Sequence, residues 1–172
     1  SKAEQAFSEQ YPAVYQHLLQ YKQQLSARNK AETGIRYEWY AMQRWGANYS
    51  DDFFKPKIMY AEIVQEPRFY LDNDGYYFPE ATTFILTGEH LPYLYNLFHS
   101  KAISYFFKTF YAGGGLGDSG YRYKKAFFEK LPIPKFEGTE LQQNIYNANL
   151  DSNIDQLIYQ LYDLTKLEIR EI

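Results

Sequence analysis

The sequence predicts an α+β fold in which a mixed or antiparallel sheet packs against helices. Short β-rich runs separated by turn signals fill residues 35–87, apolar residues recur with helical spacing on both sides of them, and capping boxes occur near the end of the chain. We therefore divide the chain into an N-terminal helix and linker at 1–33, a central domain at 34–136 and a C-terminal helical appendage at 137–172.

The composition limits the classes of protein to which the chain can belong. The 172 residues are 45% hydrophobic, which is typical of a folded chain with one main core. The sequence has no apolar run long enough to cross a membrane and no cysteines for disulfides or thiolate chemistry. We expect a protein of a reducing cytoplasm without a membrane partner. The chain begins in helical sequence without an initiating Met, so we expect it to be part of a longer protein.

The first predicted element is a helix over residues 12–28. Pro12 suits its first turn, where the missing N–H has no helical partner. Apolar residues recur at intervals of three and four, as on one face of a helix; they are Tyr11, Val14, Leu18, Tyr21 and Leu25.

Five short runs in residues 35–87 predict strands. They are rich in aromatic and β-branched residues and read YEWYAMQ, KIMYAEIV, RFYLD, YYFP and ATTFILT. The turn signals KP, EP, DNDG and PE separate the later runs. DNDG between RFYL and YYF is the strongest hairpin signal, so we expect a hairpin there.

Helical spacing returns in residues 90–111, which we interpret as a core helix or helix pair lying on the sheet. LPIP then predicts rigid extended chain. Two short helices follow, opened by capping boxes; the boxes are Thr139 with Gln142 and Thr165 with Glu168. Between them we expect a third helix capped by Asp151 or Ser152.

The stretch YAGGGLGDSGYRYKK contains a GxGxxG spacing at Gly115, Gly117 and Gly120. A dinucleotide loop with this spacing follows a strand and opens a helix, whereas the residues before this stretch predict a helix. We therefore reject a dinucleotide site. Two interpretations remain: a simple chain reversal, or a loop whose backbone closely approaches a ligand.

The charge distribution favours an anionic ligand for this loop. The net charge is −3, but residues 101–135 hold seven basic residues against two acidic ones, and residues 137–172 hold two against seven. Attraction to a polyanion depends on the local charge within about 10 Å. The neighbouring Arg122, Lys124 and Lys125 suit phosphates. If the segment is extended, Arg122 and Lys124 share one face, and Tyr121, Tyr123 and Lys125 lie on the other.

Catalytic and metal chemistry have little support in the sequence. His17, His90 and His99 are scattered without metal-ligand spacing. No GxSxG, Walker or HExxH motif occurs. We expect no metal site, no cofactor and no enzymatic activity in this chain alone.

The order of several motifs resembles a known family. The KPKI strand, PRFYLDNDGYY, the ILTG turn, LYNLFHSK, GYRYKK and the closing LPIP are similar to the TaqI-like C-terminal specificity domain. This is the target recognition domain of adenine-specific DNA methyltransferases and fused type II restriction–modification enzymes of bacteria. The resemblance covers the chain from about residue 11 to its end.

The resemblance implies a domain, at 34–136, that reads a short duplex DNA sequence, mostly through the major groove. A catalytic domain of the parent chain would flip the target adenine and methylate it with S-adenosylmethionine. The sequence has no Asn-Pro-Pro-Tyr motif and no ExK nuclease signature. The chain therefore resembles the reader alone.

Candidate DNA-contacting residues follow from charge, aromatic character and glycine content, although each also fits an ordinary surface or turn role. Candidates for backbone positioning are Arg122, Lys124, Lys125 and Lys101, then Lys55 and Lys57. Candidates for base contact are Arg36, Tyr37, Arg44, Asp118 and Ser119. Tyr121 and Tyr123 are candidates for stacking or hydrogen bonding. The loop glycines are Gly113, Gly114, Gly115, Gly117 and Gly120.

Two other functions stay open at this point. The acidic helical tail with an apolar face, together with exposed tyrosines, would suit a protein-interaction or subunit-docking module without DNA contact. Aromatics make up 20% of the chain, which would suit a carbohydrate-binding module.

Overall fold

The computed structural model describes residues 1–28, 37–42, 47–66, 68–80, 82–111, 120–150 and 153–172. The chain divides into two compact units, Ser1–Ala47 and Asn48–Ile172. The helices of the first unit are α1 (Lys2–Gln10), α2 (Pro12–Leu19) and α3 (Lys22–Ala27).

The carboxylate of Glu4 organises the first unit. It accepts hydrogen bonds from the indole nitrogen of Trp39 at 2.8 Å and from the hydroxyl of Tyr15 at 3.2 Å. The ammonium of Lys22 lies 3.5 Å from the same carboxylate and 4.8 Å from the centre of the Trp39 ring. The hydrogen bond from Trp39 holds the pKa of Glu4 below its ordinary value.

Two predictions for this unit are wrong. The single helix over 12–28 is interrupted after Leu19, because the amides of Gln20 and Tyr21 bond to carbonyls three residues earlier and tighten the turn. The described part of YEWYAMQ, residues 37–42, forms a turn instead of a strand. Packing overrides strand propensity there, because Tyr40 stacks on Phe7 at 5.2 Å.

The second unit contains the sheets. Its elements are a 3₁₀ helix (Ala47–Phe54), β1 (Lys57–Ala61), β2 (Ile63–Val64), β3 (Phe69–Asp72), β4 (Thr83–Thr87), α4 (Leu91–Phe98), α5 (Lys101–Phe110), β5 (Tyr121–Arg122), α6 (Lys125–Phe128), α7 (Glu140–Asn147), α8 (Ile154–Leu161) and α9 (Lys166–Glu171). The strands form a three-stranded antiparallel sheet in the order β3-β1-β4 and a two-stranded antiparallel ribbon of β2 and β5. The α+β prediction is confirmed.

The main core lies between the three-stranded sheet and the helices. Tyr60 on β1 is aligned with Phe69 and Phe84 on the flanking strands, so one face of the sheet is aromatic. The Tyr60 ring also stacks on Phe128 of α6 at 4.8 Å. The predicted strand KIMYAEIV bends at Glu62, and its second part joins the ribbon instead of the sheet.

The hairpin predicted at DNDG is wrong. β3 pairs with β1, and the residues after the turn form no strand. The Asp72 carboxylate accepts the amide hydrogens of Tyr76 and Tyr77 at 3.1 and 2.9 Å, which diverts those amides from a strand ladder. Gly75, with φ of +66°, lies so close to Phe54 that an added Cβ would be 2.1 Å from its carbonyl oxygen.

The predicted helical regions are largely confirmed. Residues 90–111 form the pair α4 and α5, and the Ser100 hydroxyl caps α5 by accepting the amide hydrogen of Ile103 at 3.2 Å. Both capping boxes are present, at the starts of α7 and α9. The N-cap of α8 is Asn153, so the cap predicted at Asp151 or Ser152, which lie outside the described residues, is wrong.

A second core joins the C-terminal helices to α4. The buried Asn96 donates from its amide nitrogen to the carbonyls of Ile145 at 2.6 Å and Ala148 at 3.0 Å. The boundaries at 33/34 and 136/137 stay predictions. In the described parts of the chain, no helix has the length and apolar character needed to span a membrane.

Candidate nucleic-acid interface

The β2–β5 ribbon carries Arg122, one of the exposed cations of the predicted basic segment. Ile63 is paired with Arg122 and Val64 with Tyr121. Ile63 and Arg122 are exposed, whereas Val64 and Tyr121 pack against the main core. The ribbon therefore has an inner face that fixes it and an outer face that points to solvent.

Close backbone contacts anchor β5 on β2. The amide of Tyr123 donates to the Glu62 carbonyl at 2.7 Å. Gly120 has φ of +127°, and a Cβ at this position would lie 2.6 Å from the Val64 carbonyl oxygen. The backbones approach so closely that only glycine fits, which gives Gly120 a structural role whatever the loop before it contacts.

The aromatic side chains of β5 belong mainly to the scaffold. Tyr123 is buried and stacks on Phe107 of α5 at 4.2 Å, and burial raises its pKa to about 12. Its ring is therefore closed to a base. Tyr121 is half-buried, and the ammonium of Lys108 lies 4.8 Å from its ring centre, so a further cation sits beside the ribbon.

The cations of the ribbon and of α6 are exposed. Residues 120–135 hold five basic residues against one acidic residue. Lys124 follows Arg122 in extended chain, and the alternation predicted for residues 121–124 is present. Lys125 instead begins α6, where its ammonium lies 3.5 Å from the Glu129 carboxylate. No carboxylate of the described residues forms an ion pair with Arg122 or Lys124, which leaves both available to an anion.

The other predicted cations lie on different elements. Lys101 is exposed at the start of α5, with its ammonium 3.9 Å from Asp155. Lys55 is exposed and paired with Asp52 at 2.7 Å; that hydrogen bond raises the pKa of Lys55. Neither belongs to the ribbon.

Lys57 does not present a charge to solvent. It is fully buried, and its ammonium donates to the Asp72 carboxylate at 2.5 Å and to the Phe53 carbonyl at 2.8 Å. The structure therefore gives no support to the phosphate contact predicted for Lys57, because its charge is used inside the protein. The sequence contained a signal for such a pair: the predicted strand KIMYAEIV begins with Lys57, and the acidic turn DNDG ends the next predicted strand.

One of the remaining predicted residues lies in the first unit, and the others lie outside the described ranges. Tyr37 is half-buried in the first unit. The predicted residues outside the described ranges are Arg36, Arg44, Gly113, Gly114, Gly115, Gly117, Asp118 and Ser119.

Sequence reasoning missed an exposed aromatic surface next to the buried ion pair. Phe78 stacks on Phe53 at 5.4 Å, and Tyr77 contacts the rings of Tyr70 and Tyr76 at 5.4 Å each. Most of these rings are largely exposed. The YYFP run was the available signal, but it was assigned to a strand.

No metal centre is formed by the described residues, since no three of their His, Asp or Glu side chains come together at ligand distance. The described surface instead carries a group of exposed cations, Arg122 on the ribbon and Lys124, Lys125 and Lys130 after it. The fold and this surface define an α+β module with a basic edge.

The family follows from comparison with known proteins. Residues 6–133 match the TaqI-like C-terminal specificity domain, so the chain belongs to that family. No curated protein matches the chain. Membership indicates recognition of a DNA sequence in a methyltransferase context, and a specificity domain is not itself catalytic.

Proposed function

We propose that this chain reads a short sequence in duplex DNA and positions it for a catalytic methyltransferase domain outside this chain. The observation that carries the proposal is the exposed, cation-bearing ribbon formed by β2 and β5 within a domain of the specificity family. The major groove of DNA admits a two-stranded ribbon of this kind.

The lysines beside the ribbon would hold the DNA backbone. Lys124 follows Arg122 in extended chain, and Lys125 and Lys130 follow on and just after α6; all three lysines are exposed. Contacts to phosphates fix the register of a protein on DNA, release counterions and make affinity fall with salt. The acidic tail at 137–172 would stay away from the duplex, since like charges repel.

The chemistry would take place on the partner domain. A methyltransferase acts on a base that has been extruded from the duplex, and S-adenosylmethionine would be bound by the catalytic domain. This chain would supply sequence choice and hold the duplex during extrusion. Restriction–modification in a bacterial cytoplasm is the setting that fits this division of labour.

The test measures binding to a random-sequence duplex at about 50 and about 200 mM salt. The variant combines Lys124→Ala with Lys125→Ala, and its control combines Lys166→Ala with Arg170→Ala on the acidic tail. Removing two phosphate contacts should weaken binding to all sequences alike and reduce the magnitude of the salt slope by about two. The control should bind like the wild type. Affinity that does not change with salt, or a variant equal to its control, would remove the phosphate role.

A docking module is the second candidate, and an apolar groove favours it. The groove has a volume of about 430 Å³ and is lined by α5, by the end of α8 and by the C-terminal end of the chain, including Phe106, Tyr162 and Ile172. Light scattering at several concentrations separates the two functions. A stable dimer that binds no DNA would favour docking, whereas a DNA-binding monomer would favour the reader.

A further inference from the structure

The outer face of the β2–β5 ribbon pairs an exposed apolar side chain with an exposed arginine. Half of the surface of Ile63 is exposed (50%), and its partner across the ribbon is Arg122. A single exposed isoleucine is ordinary on a protein surface. Ile63, however, lies directly opposite Arg122 on the ribbon that we propose enters the major groove of DNA. This position suggests a function in recognition.

The register places both side chains on one face. Side chains of directly paired residues in an antiparallel ribbon have Cβ atoms about 4.5–5.5 Å apart and point the same way. The next pair, Val64 and Tyr121, packs against the core. Successive residues on a strand alternate between faces, so Ile63 and Arg122 both face solvent.

The surroundings of Ile63 favour DNA over a protein surface. Arg122 lies opposite Ile63 on β5, and Lys124 follows in extended chain; both side chains are exposed. An apolar side chain beside two exposed cations fits the major groove, where phosphates surround base edges that include one apolar group, the thymine methyl.

The chemistry of the two side chains matches two adjacent bases. An arginine donates two hydrogen bonds to O6 and N7 of guanine, and an apolar side chain contacts the C5 methyl of thymine. Bases along one strand are about 3.4 Å apart. Two side chains whose Cβ atoms are about 5 Å apart can therefore reach neighbouring base pairs.

We propose that Ile63 is a specificity-determining residue that contacts a thymine methyl, next to a guanine contacted by Arg122. This inference rests on the proposed DNA-reading function and adds which bases the ribbon recognises, a thymine next to a guanine. Lys124 and Lys125 would hold the phosphates, and the ribbon face would read the bases.

The experiment first selects duplexes from a random library with the wild-type chain. Each thymine of the selected site is then replaced, one at a time, by deoxyuridine, which lacks only the C5 methyl. At one thymine beside a guanine, this replacement should lower the affinity about fourfold, because that is the contribution of burying one methyl group. Replacing that guanine by 7-deazaguanine should lower the wild-type affinity by about tenfold or more and leave Arg122→Ala unaffected.

The variants Ile63→Ala and Ile63→Ser assign the methyl contact. Both should bind the thymine and deoxyuridine duplexes equally, because each removes the γ and δ carbons with which Ile63 reaches the methyl group. Leu167→Ala, at an exposed apolar position on α9, is the matched control and should keep the fourfold difference. Circular dichroism checks that each variant is folded.

The outcomes separate this inference from the proposed function. If the wild type binds no duplex or selects no sequence, the DNA-reading function fails and this inference fails with it. If the wild type selects a sequence but no thymine beside a guanine responds to deoxyuridine, the function stands and the role of Ile63 is overturned. The same holds if both Ile63 variants keep the methyl preference.

Discussion

The ammonium of Lys57 and the carboxylate of Asp72 form an ion pair at 2.5 Å that is almost completely closed to solvent. The pair joins β1 to β3; Lys57 also donates to the Phe53 carbonyl, and Asp72 also accepts from the amides of Tyr76 and Tyr77. A buried pair of charges is tolerated when its hydrogen bonds are satisfied in this way. It fixes the turn that carries the exposed aromatic surface.

We expect Lys57→Met to destabilise the protein strongly. The variant leaves the Asp72 carboxylate buried without its cation, and such a loss costs about 3 kcal/mol of unfolding free energy. Urea denaturation at neutral pH measures the change. Lys55→Met, which removes an exposed ion pair on a neighbouring residue, is the control and should change stability far less. Equal effects of the two variants would contradict a structural role for the buried pair.

Stability should depend on acid pH through Asp72. Burial alone would raise the pKa of its carboxyl, but the hydrogen bonds from Lys57, Tyr77 and Tyr76 and the charge of Lys57 outweigh burial and lower it to about 2, from 3.8. A depressed pKa stabilises the folded state above pH 3.8, and this contribution is lost as the pH falls towards 2. Urea denaturation between pH 5 and about pH 2 should show the loss in the wild type and a smaller loss in Asp72→Asn combined with Lys57→Met. Identical pH profiles would contradict this assignment.

Local signals predicted the helices and failed where side chains act over a longer range. Thr139 and Gln142 are three residues apart, and the capping box that they form requires no other part of the fold. The DNDG hairpin failed because Lys57, fifteen positions before Asp72, completes the hydrogen bonds that hold the turn in another conformation. Turn propensity contains no information about such a partner.

The candidate site was predictable in charge but not in geometry. The basic residues near Arg122 are visible in the sequence, and alternation along an extended strand placed Tyr121 on the face opposite Arg122. The partner strand was not predictable, because β2 is a two-residue segment that leaves the preceding strand at a bend. For the same reason the position of Ile63 opposite Arg122 appears only in the structure.

Gly120→Ala should destabilise the ribbon. The added Cβ would meet the Val64 carbonyl at 2.6 Å, and relieving such an overlap typically costs about 2 kcal/mol. Gly88→Ala is the matched control, because Gly88 also has positive φ but has no atom within 4 Å of the added Cβ. Urea denaturation compares the two, and a smaller loss for Gly120→Ala than for Gly88→Ala would exclude a close approach of the strands.

Asn96→Leu should weaken the attachment of the C-terminal helices. The substitution leaves the carbonyls of Ile145 and Ala148 without their donor, at a cost of about 2 kcal/mol. Asn144→Leu, on the exposed face of α7, is the control and should have little effect. Limited proteolysis should cleave the Asn96 variant faster within 137–172. Unchanged stability and cleavage would show that this side chain is dispensable.

The central claim is that the β2–β5 ribbon binds duplex DNA, and an NMR titration of the labelled chain tests it most directly. A random-sequence duplex is added at about 50 and about 200 mM salt, and amide shifts are followed residue by residue. We expect shifts that cluster at residues 120–125 and shrink at the higher salt. No shifts at the lower salt, or shifts confined to residues 137–172, would contradict the claim.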